Sequence, residues 1–269
     1  MRKGFLVPAA ALAAAAVFSG FAGHLYPGGT GDAGAVEHYV IGSKEAIRHD
    51  LSAYTQGLFF YKGDLYESTG QYGESSFRQV DPATGKVLRT ELFPENYFGE
   101  GSCVFDGLAY ILTWYEEVCL VYDIETFTKL AELPYQGQGW GLTTDGRSLI
   151  MSNGTSRLSF RDPVTFIEQH SVTVRDGGRP VSYINELEYI DGRIWANIYG
   201  LDEIFIIDPV TGAVTGKLDC RGLLDAEYKT SATDVLNGIA YNPEDGSVYL
   251  SGKYWPRMYK VSVKQMTDE

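Results

Sequence analysis

The sequence predicts an all-β fold, a five-bladed β-propeller with about four antiparallel strands in each blade. Three observations lead there. First, a start rich in polar residues and glycine, an apolar strand, a tight turn and a second apolar strand recur five times. The copies are TQGLFFYKGDLYESTG from Thr55, GEGSCVFDGLAYILTW from Gly99, GWGLTTDGRSLIMSNG from Gly139, INELEYIDGRIWANIY from Ile184 and LNGIAYNPEDGSVYLSGK from Leu236. Aligned on the turn, Gln56, Glu100, Trp140, Asn185 and Asn237 fall at equivalent places, at intervals of 44, 40, 45 and 52 residues. Second, most copies continue into a strand that ends in turn chemistry: VDPATGKV at 80–87, YDIETFTKL at 122–130, RDPVTFIEQ at 161–169 and IDPVTGAV at 207–214. Third, no long stretch carries a helical period.

Ahead of the repeats, residues 1–25 read as a secretory signal peptide. Arg2 and Lys3 make a basic start, Phe5 to Phe18 a short apolar run, and Gly20, Ala22 and Gly23 supply small residues for cleavage. The run is short for a membrane span and no stop-transfer charges follow, so an uncleaved anchor is the weaker alternative. Residues 26–36 read as a flexible linker and 37–269 as the propeller. The chain is therefore expected to be exported, to the periplasm or the extracellular space, and to act as a monomer free of the membrane. The fifth repeat runs out of chain at its third strand, RMYKVSV at 257–263. EHYVIGSKEAIRH at 37–49 is the segment available to supply the missing strand and close the ring. A β-sandwich is the alternative, but five internal copies fit one poorly.

Cys103 and Cys119 fall on the first and third strands of the second repeat. Non-adjacent strands stand about 9–10 Å apart, and a disulfide needs Cα atoms within about 7 Å, so no bridge is expected between them. With Cys220 the count is three, which leaves at least one thiol unpaired. Net charge is −13, from 22 Lys and Arg against 35 Asp and Glu, and becomes −15 when the leader takes Arg2 and Lys3 with it. That balance argues against nucleic acid and anionic lipid as partners.

The first strand of a propeller blade lines the central channel and the second runs back beside it. The start of one and the end of the other share one end of the hairpin. Those ends hold Gln56 and Glu67, Glu100 and Trp114, Trp140 and Asn153, Asn185 and Tyr199, and Asn237 and Lys253. All ten are expected around one channel mouth. The set combines aromatic walls with a few convergent polar groups, as ligand pockets do; a merely hydrated channel is the bland alternative. Glu186 and Glu188 alternate with Leu187 and so face one way. They read as structural carboxylates that bond backbone amides or pair with Arg193.

The four histidines, His24, His38, His49 and His170, stand outside these motifs, so neither a His-rich zinc site nor a Ser-His or Cys-His nucleophile is expected. No Gly-rich phosphate loop occurs. No metal and no cofactor are expected. Glu100 lies between Gly99 and Gly101, glycines read here as leaving room for a substrate, and burial near Trp114 raises a carboxyl pKa toward values useful for moving protons near neutrality. Asn185 and Lys253 are donors for an oxygen on which charge develops. Together they suggest metal-free acid/base chemistry on a carbonyl or amide.

YTQGL, YESTGQYGESSFRQVD, FGEG, LTW, GWGL, LIMSNGT, NELEY, LNGIAY and SGKYWP occur in order from Tyr54 to Pro256. This series resembles the plant and bacterial type of glutaminyl-peptide cyclotransferase. The resemblance implies a five-bladed propeller that turns the N-terminal glutamine of peptides or proteins into pyroglutamate and releases ammonia. It makes Glu100 the proton shuttle, Asn185 a ligand of the substrate amide and Lys253 its cationic neighbour. Gln56 joins them, and Trp114 and Trp140 form walls with Tyr54 and Phe98 alongside. Two departures bear on substrate preference: Gln138 stands where the family often has Glu, and Tyr199 where it often has Trp. Two other functions are kept as alternatives. One is a propeller that binds a ligand or protein without turnover. The other is a glycoside hydrolase with Glu67 as its second carboxylate.

Overall fold

The computed structural model describes residues 35–266. The expected leader, and all but the last two residues of the expected linker, lie outside the described residues. The described chain is all-β, with 22 strands, one 3-10 turn at Ala226–Tyr228 and no α-helix. Strand β1 (Glu37–Arg48) comes first and is used last, as shown below. Strands β2 (Thr55–Tyr61), β3 (Asp64–Thr69), β4 (Ser76–Val80) and β5 (Val87–Leu92) form one four-stranded antiparallel sheet in chain order. A second contains β6 (Gly99–Phe105), β7 (Leu108–Thr113), β8 (Val118–Asp123) and β9 (Lys129–Pro134). A third contains β10 (Leu142–Thr144), β11 (Leu149–Ser152), β12 (Arg157–Arg161) and β13 (Glu168–Thr173). The small hairpin β14 (Arg175–Asp176) and β15 (Arg179–Pro180) follows.

The remaining strands are β16 (Ile184–Ile190), β17 (Arg193–Ile198), β18 (Glu203–Ile207), β19 (Val214–Asp219), β20 (Leu236–Asn242), β21 (Ser247–Gly252) and β22 (Arg257–Gln265). They make one eight-stranded sheet in the order β16-β17-β18-β19-β1-β22-β21-β20. Strand β1 holds its centre. It pairs antiparallel with β22 from Tyr39↔Gln265 to Arg48↔Arg257, and parallel with β19 from Glu37↔Gly216 to Val40↔Asp219. The first segment of the domain thus supplies the fourth strand of the last hairpin group. Cys103, Cys119 and Cys220 are buried free thiols, the first two on β6 and β8 with β7 between them.

Turn chemistry explains the hairpins. Lys62-Gly63, Asp106-Gly107 and Asp191-Gly192 each have φ positive at both residues. Two-residue turns of this hand match the twist of paired strands, and glycine takes the second position without steric cost. Register then departs from regular pairing near the start of four inner strands. Thr55 faces Thr69, but Gly57 faces Ser68. Gly99 faces Thr113, yet Ser102 faces Ile111. The same one-residue shift separates Ile184 from Leu187 and Leu236 from Ile239. Each is a β-bulge, a single extra residue that bends the strand and re-aims side chains.

Strands β2, β6, β10, β16 and β20 contact one another in cyclic order. Buried hydrogen bonds cross every junction. Ser68 Oγ donates to the Glu100 carbonyl over 2.7 Å, and Gly101 N to the Trp140 carbonyl over 2.7 Å. Ser152 Oγ donates to the Asn185 carbonyl over 2.7 Å, Gly238 N to Asn197 Oδ1 over 2.9 Å, and Asn237 Nδ2 to the Thr55 carbonyl over 2.8 Å. Glu186 reaches two other inner strands, β2 and β20: its carboxylate accepts from Leu58 N at 3.3 Å and from Ile239 N at 2.9 Å. Glu188 accepts from Tyr241 N at 2.9 Å. The two glutamates bond backbone amides, as one of the two structural roles read for them, whereas Arg193 pairs with Glu37 at 2.9 Å.

Burial and the neighbouring Glu188 push the Glu186 carboxyl well up, and burial pushes half-buried Glu188 to about 8. A carboxyl raised in the folded chain binds more protons there than when unfolded. Its stabilisation is complete below the ordinary value of 4.5 and is lost as pH rises toward 8. Glu188→Gln keeps an acceptor for Tyr241 N and removes the titration. Its melting temperature, followed by calorimetry from pH 4.5 to 8, should fall less than that of the wild type. Parallel curves would contradict this assignment.

Candidate active site

A cavity of about 310 Å³ opens where the inner strands begin. It is lined by all nine side chains named above for substrate and catalysis: Tyr54, Gln56, Phe98, Glu100, Trp114, Trp140, Asn185, Tyr199 and Lys253. Gln56, Glu100 and Asn185 sit in three of the bulges, which turn them out of the strand alternation and toward the opening. Trp114, Tyr199 and Lys253 each directly follow the last residue of the hairpin's second strand. Trp140 precedes its strand, β10, which starts only at Leu142. The backbone there bonds sideways instead, Trp140 N to the Ser152 carbonyl at 3.1 Å and Gly141 N to Ser152 Oγ at 2.7 Å.

The aromatic residues brace one another. Tyr54 meets Phe98 edge-on with ring centroids 6.1 Å apart, Phe98 meets Trp114 at 5.3 Å and Trp140 meets Tyr199 at 6.2 Å. The ammonium of Lys253 lies over the Tyr54 ring at 4.4 Å and near the Tyr199 ring at 5.6 Å. Cation–π contact of this kind stabilises an ammonium that has lost its water.

The polar members are buried: Glu100 is 4% exposed, Asn185 2% and Lys253 3%. Among the described residues, none of these three side chains has a hydrogen-bonding partner in the protein, and no ion pair joins Glu100 to Lys253 within 4 Å. Buried polar groups are normally satisfied; these three face one cavity with their hydrogen-bonding capacity unused. Burial raises the Glu100 carboxyl well above its ordinary 4.5, Lys253 pulls it partly back, and Glu116 adds to the rise. Burial likewise lowers the Lys253 ammonium, against the pull of Glu100 and Asp234. Both groups are shifted toward their neutral forms. No cluster of three or more His, Cys, Asp or Glu side chains suited to a metal ion occurs among the described residues.

Three residues expected at the mouth are elsewhere. Glu67 is buried, accepting from Thr55 Oγ1 at 2.8 Å and pairing with His49 Nε2 at 2.9 Å. Strand β3 runs on to Thr69, so Glu67 stops two residues short of the hairpin end. Gln71, beyond that end, reaches the cavity in its place. Its φ is 100°, and the N–H and hydroxyl of Ser75 both donate to its carbonyl, at 2.9 and 2.7 Å. Asn153 caps a turn through Thr155 Oγ1 at 2.6 Å. Asn237 is spent on the Thr55 carbonyl. The glycines beside Glu100 also serve another purpose than the one expected. A Cβ on Gly99 would lie 2.6 Å from the Thr69 carbonyl oxygen, and one on Gly101 2.6 Å from the Gly141 Cα. They admit neighbouring strands, not substrate.

A family model described as Glutamine cyclotransferase matches residues 20–263. An Arabidopsis thaliana protein named glutaminyl-peptide cyclotransferase is 41% identical over 224 residues, which is 81% of this chain and 69% of that protein. The crystal structure of Myxococcus xanthus glutaminyl cyclase aligns with a TM-score of 0.79 at 32% identity, over 86% of this chain and 100% of that one. The chain belongs to the glutamine cyclotransferase family.

Proposed function

We propose that this site closes the N-terminal glutamine of peptides or proteins into pyroglutamate and releases ammonia, by acid/base chemistry that needs no metal. The observation that carries the reading is the trio Glu100, Asn185 and Lys253, buried around one cavity and unspent within the protein. The fold is read as five blades around one channel, supported by the cyclic contacts of β2, β6, β10, β16 and β20 and by the hydrogen bonds at each junction. Export is supported by Arg2, Lys3 and the apolar run behind them.

The neutral α-amine attacks the side-chain carboxamide carbon of its own residue. A C–N bond forms, and the carbonyl π electrons move onto oxygen. Asn185 and Lys253 are the donors for that oxygen, and preorganised donors in a dry site are worth far more than the same groups in water. Glu100, as carboxylate, takes the proton that the attacking amine sheds. Its raised pKa then makes it a ready donor to the departing nitrogen, so the C–N bond of the carboxamide breaks and ammonia leaves. Attack is intramolecular, so the aromatic walls contribute by selecting the folded-back conformer of the glutamine.

Glu100→Gln keeps the shape of the side chain and loses proton transfer. Its kcat on a glutamine-initiated dipeptide should fall by about 10²–10⁴-fold, the range of general acid–base catalysis, with a melting temperature no lower than that of the wild type, since a buried titratable carboxyl is removed. The residual rate is read against spontaneous cyclisation without protein. A kcat near wild type would move the shuttle role elsewhere. Ammonia release by the wild type should also persist in excess EDTA; loss with chelator and recovery with added zinc would refute the metal-independent mechanism.

A further inference from the structure

The site is walled by a chain of contacts running from Lys253 through Tyr54, Phe98 and Trp114 on one side, and from Lys253 through Tyr199 and Trp140 on the other. The two arms meet at one residue that does not line the cavity. Trp114 Nε1 donates to Gln138 Oε1 over 2.9 Å, and Trp140 Nε1 donates to the same oxygen over 3.0 Å. Gln138 Nε2 lies 3.3 Å from the Tyr115 hydroxyl.

The chemistry fixes which way the amide points. An indole N–H only donates, so the atom between the two rings must be the carbonyl oxygen, and the NH₂ must face the tyrosine. The backbone that presents Gln138 is itself held. Gly137 has φ 86°, and its N–H donates to Glu117 Oε1 at 2.7 Å. Gly139 N donates to the Trp114 carbonyl at 3.1 Å, and a Cβ there would come within 2.8 Å of the Thr113 carbonyl oxygen. Both glycines are therefore needed to hold Gln138 between the indoles, and its two-acceptor carbonyl needs no charge to serve both.

From this geometry we infer that Gln138 is a positioning residue for substrate binding: its single oxygen locks Trp114 and Trp140 to each other and closes the aromatic collar. Without it, each indole N–H loses its partner and each ring is free to turn about its side-chain torsions. The walls contact substrate in the ground state and the transition state alike, so their loss appears in KM more than in kcat. Any hydrogen-bond acceptor of similar reach should serve. A carboxylate at this position preserves the collar, whereas an apolar chain of equal length does not.

The test compares Gln138→Met with Gln138→Glu, by steady-state kinetics on a glutamine-initiated dipeptide and by the indole N–H resonances of ¹⁵N-labelled protein. The chain has four tryptophans, so the resonances of Trp114 and Trp140 are assigned with single Trp→Phe variants. Loss of two hydrogen bonds predicts a rise in KM of about tenfold in Gln138→Met with kcat within about twofold, and upfield shifts of both indole signals. Gln138→Glu should restore KM and keep both signals downfield. A wild-type KM and unmoved resonances in Gln138→Met would overturn the inference, as would a Gln138→Glu variant as impaired as Gln138→Met. Should Gln138→Met not fold, Gln138→Ala takes the same readings. The kinetic arm rests on the cyclisation reading, but the resonances do not. A wild type inactive on glutamine-initiated peptides sinks that reading and leaves the collar still testable.

Discussion

One extra residue in an inner strand is the constraint on which the site depends. Where β6 and β16 bulge, Glu100 and Asn185 leave the regular in-and-out alternation and face the cavity. The bulge also upsets the backbone pairing of the strand that carries it. Neighbouring hairpins supply partners: Ser68 for the Glu100 carbonyl, Ser152 for that of Asn185, and Asn197 for the Gly238 N–H. Each such bond is worth about 0.5–1.5 kcal/mol net, but a buried group left unpaired costs about 1–3 kcal/mol. The bonds that satisfy the bulges also join each inner strand to the next. Aiming the site and closing the ring are thus one structural solution.

Against that ordered background the site itself stores electrostatic cost. Glu100 and Lys253 are both buried, neither has a hydrogen-bonding or ion-pair partner among the described residues, and burial drives each toward its neutral form. The contrast with Glu67 is instructive, because Glu67 is equally buried. Burial pushes it up too, but His49 and Arg78 outweigh burial and hold its carboxyl below the ordinary range. The same residue type is held toward its ionised form in one place and toward its neutral form in the other. Partners, not burial, make the difference. Lys253 is kept by the faces of Tyr54 and Tyr199, which favour its charge without forming the ion pair that would hold Glu100 down.

Much of this was legible in the sequence because the information is local. Tight turns such as Asp106-Gly107 fix register over a few residues, and five aligned copies brought seven of the cavity's side chains together on paper, with Tyr54 and Phe98 added by the family resemblance. What escaped depends on strand length and on who stands opposite. Glu67 and Gln71 exchanged places because β3 runs on to Thr69, two residues past the position read as its end. Asn153 and Asn237 have the residue type of a site and the position of one, yet each is consumed by a neighbour in the fold. Gly101 looks like an opening and is filled by the backbone of another hairpin. Gln138 was visible as a departure from the family's pattern, but one oxygen between two indoles exists only in three dimensions.

The proposed proton shuttle depends on burial, moderated by Lys253, raising the Glu100 carboxyl above its ordinary value. The most direct measurement is the titration of that carboxyl in protein labelled with ¹³C at glutamate carboxyls, with its signal identified by its loss in Glu100→Gln. The account predicts a midpoint well above 4.5 in the wild type and a higher one in Lys253→Met, since the ammonium favours the carboxylate. A midpoint at the ordinary value, or one that Lys253→Met leaves in place, would contradict it.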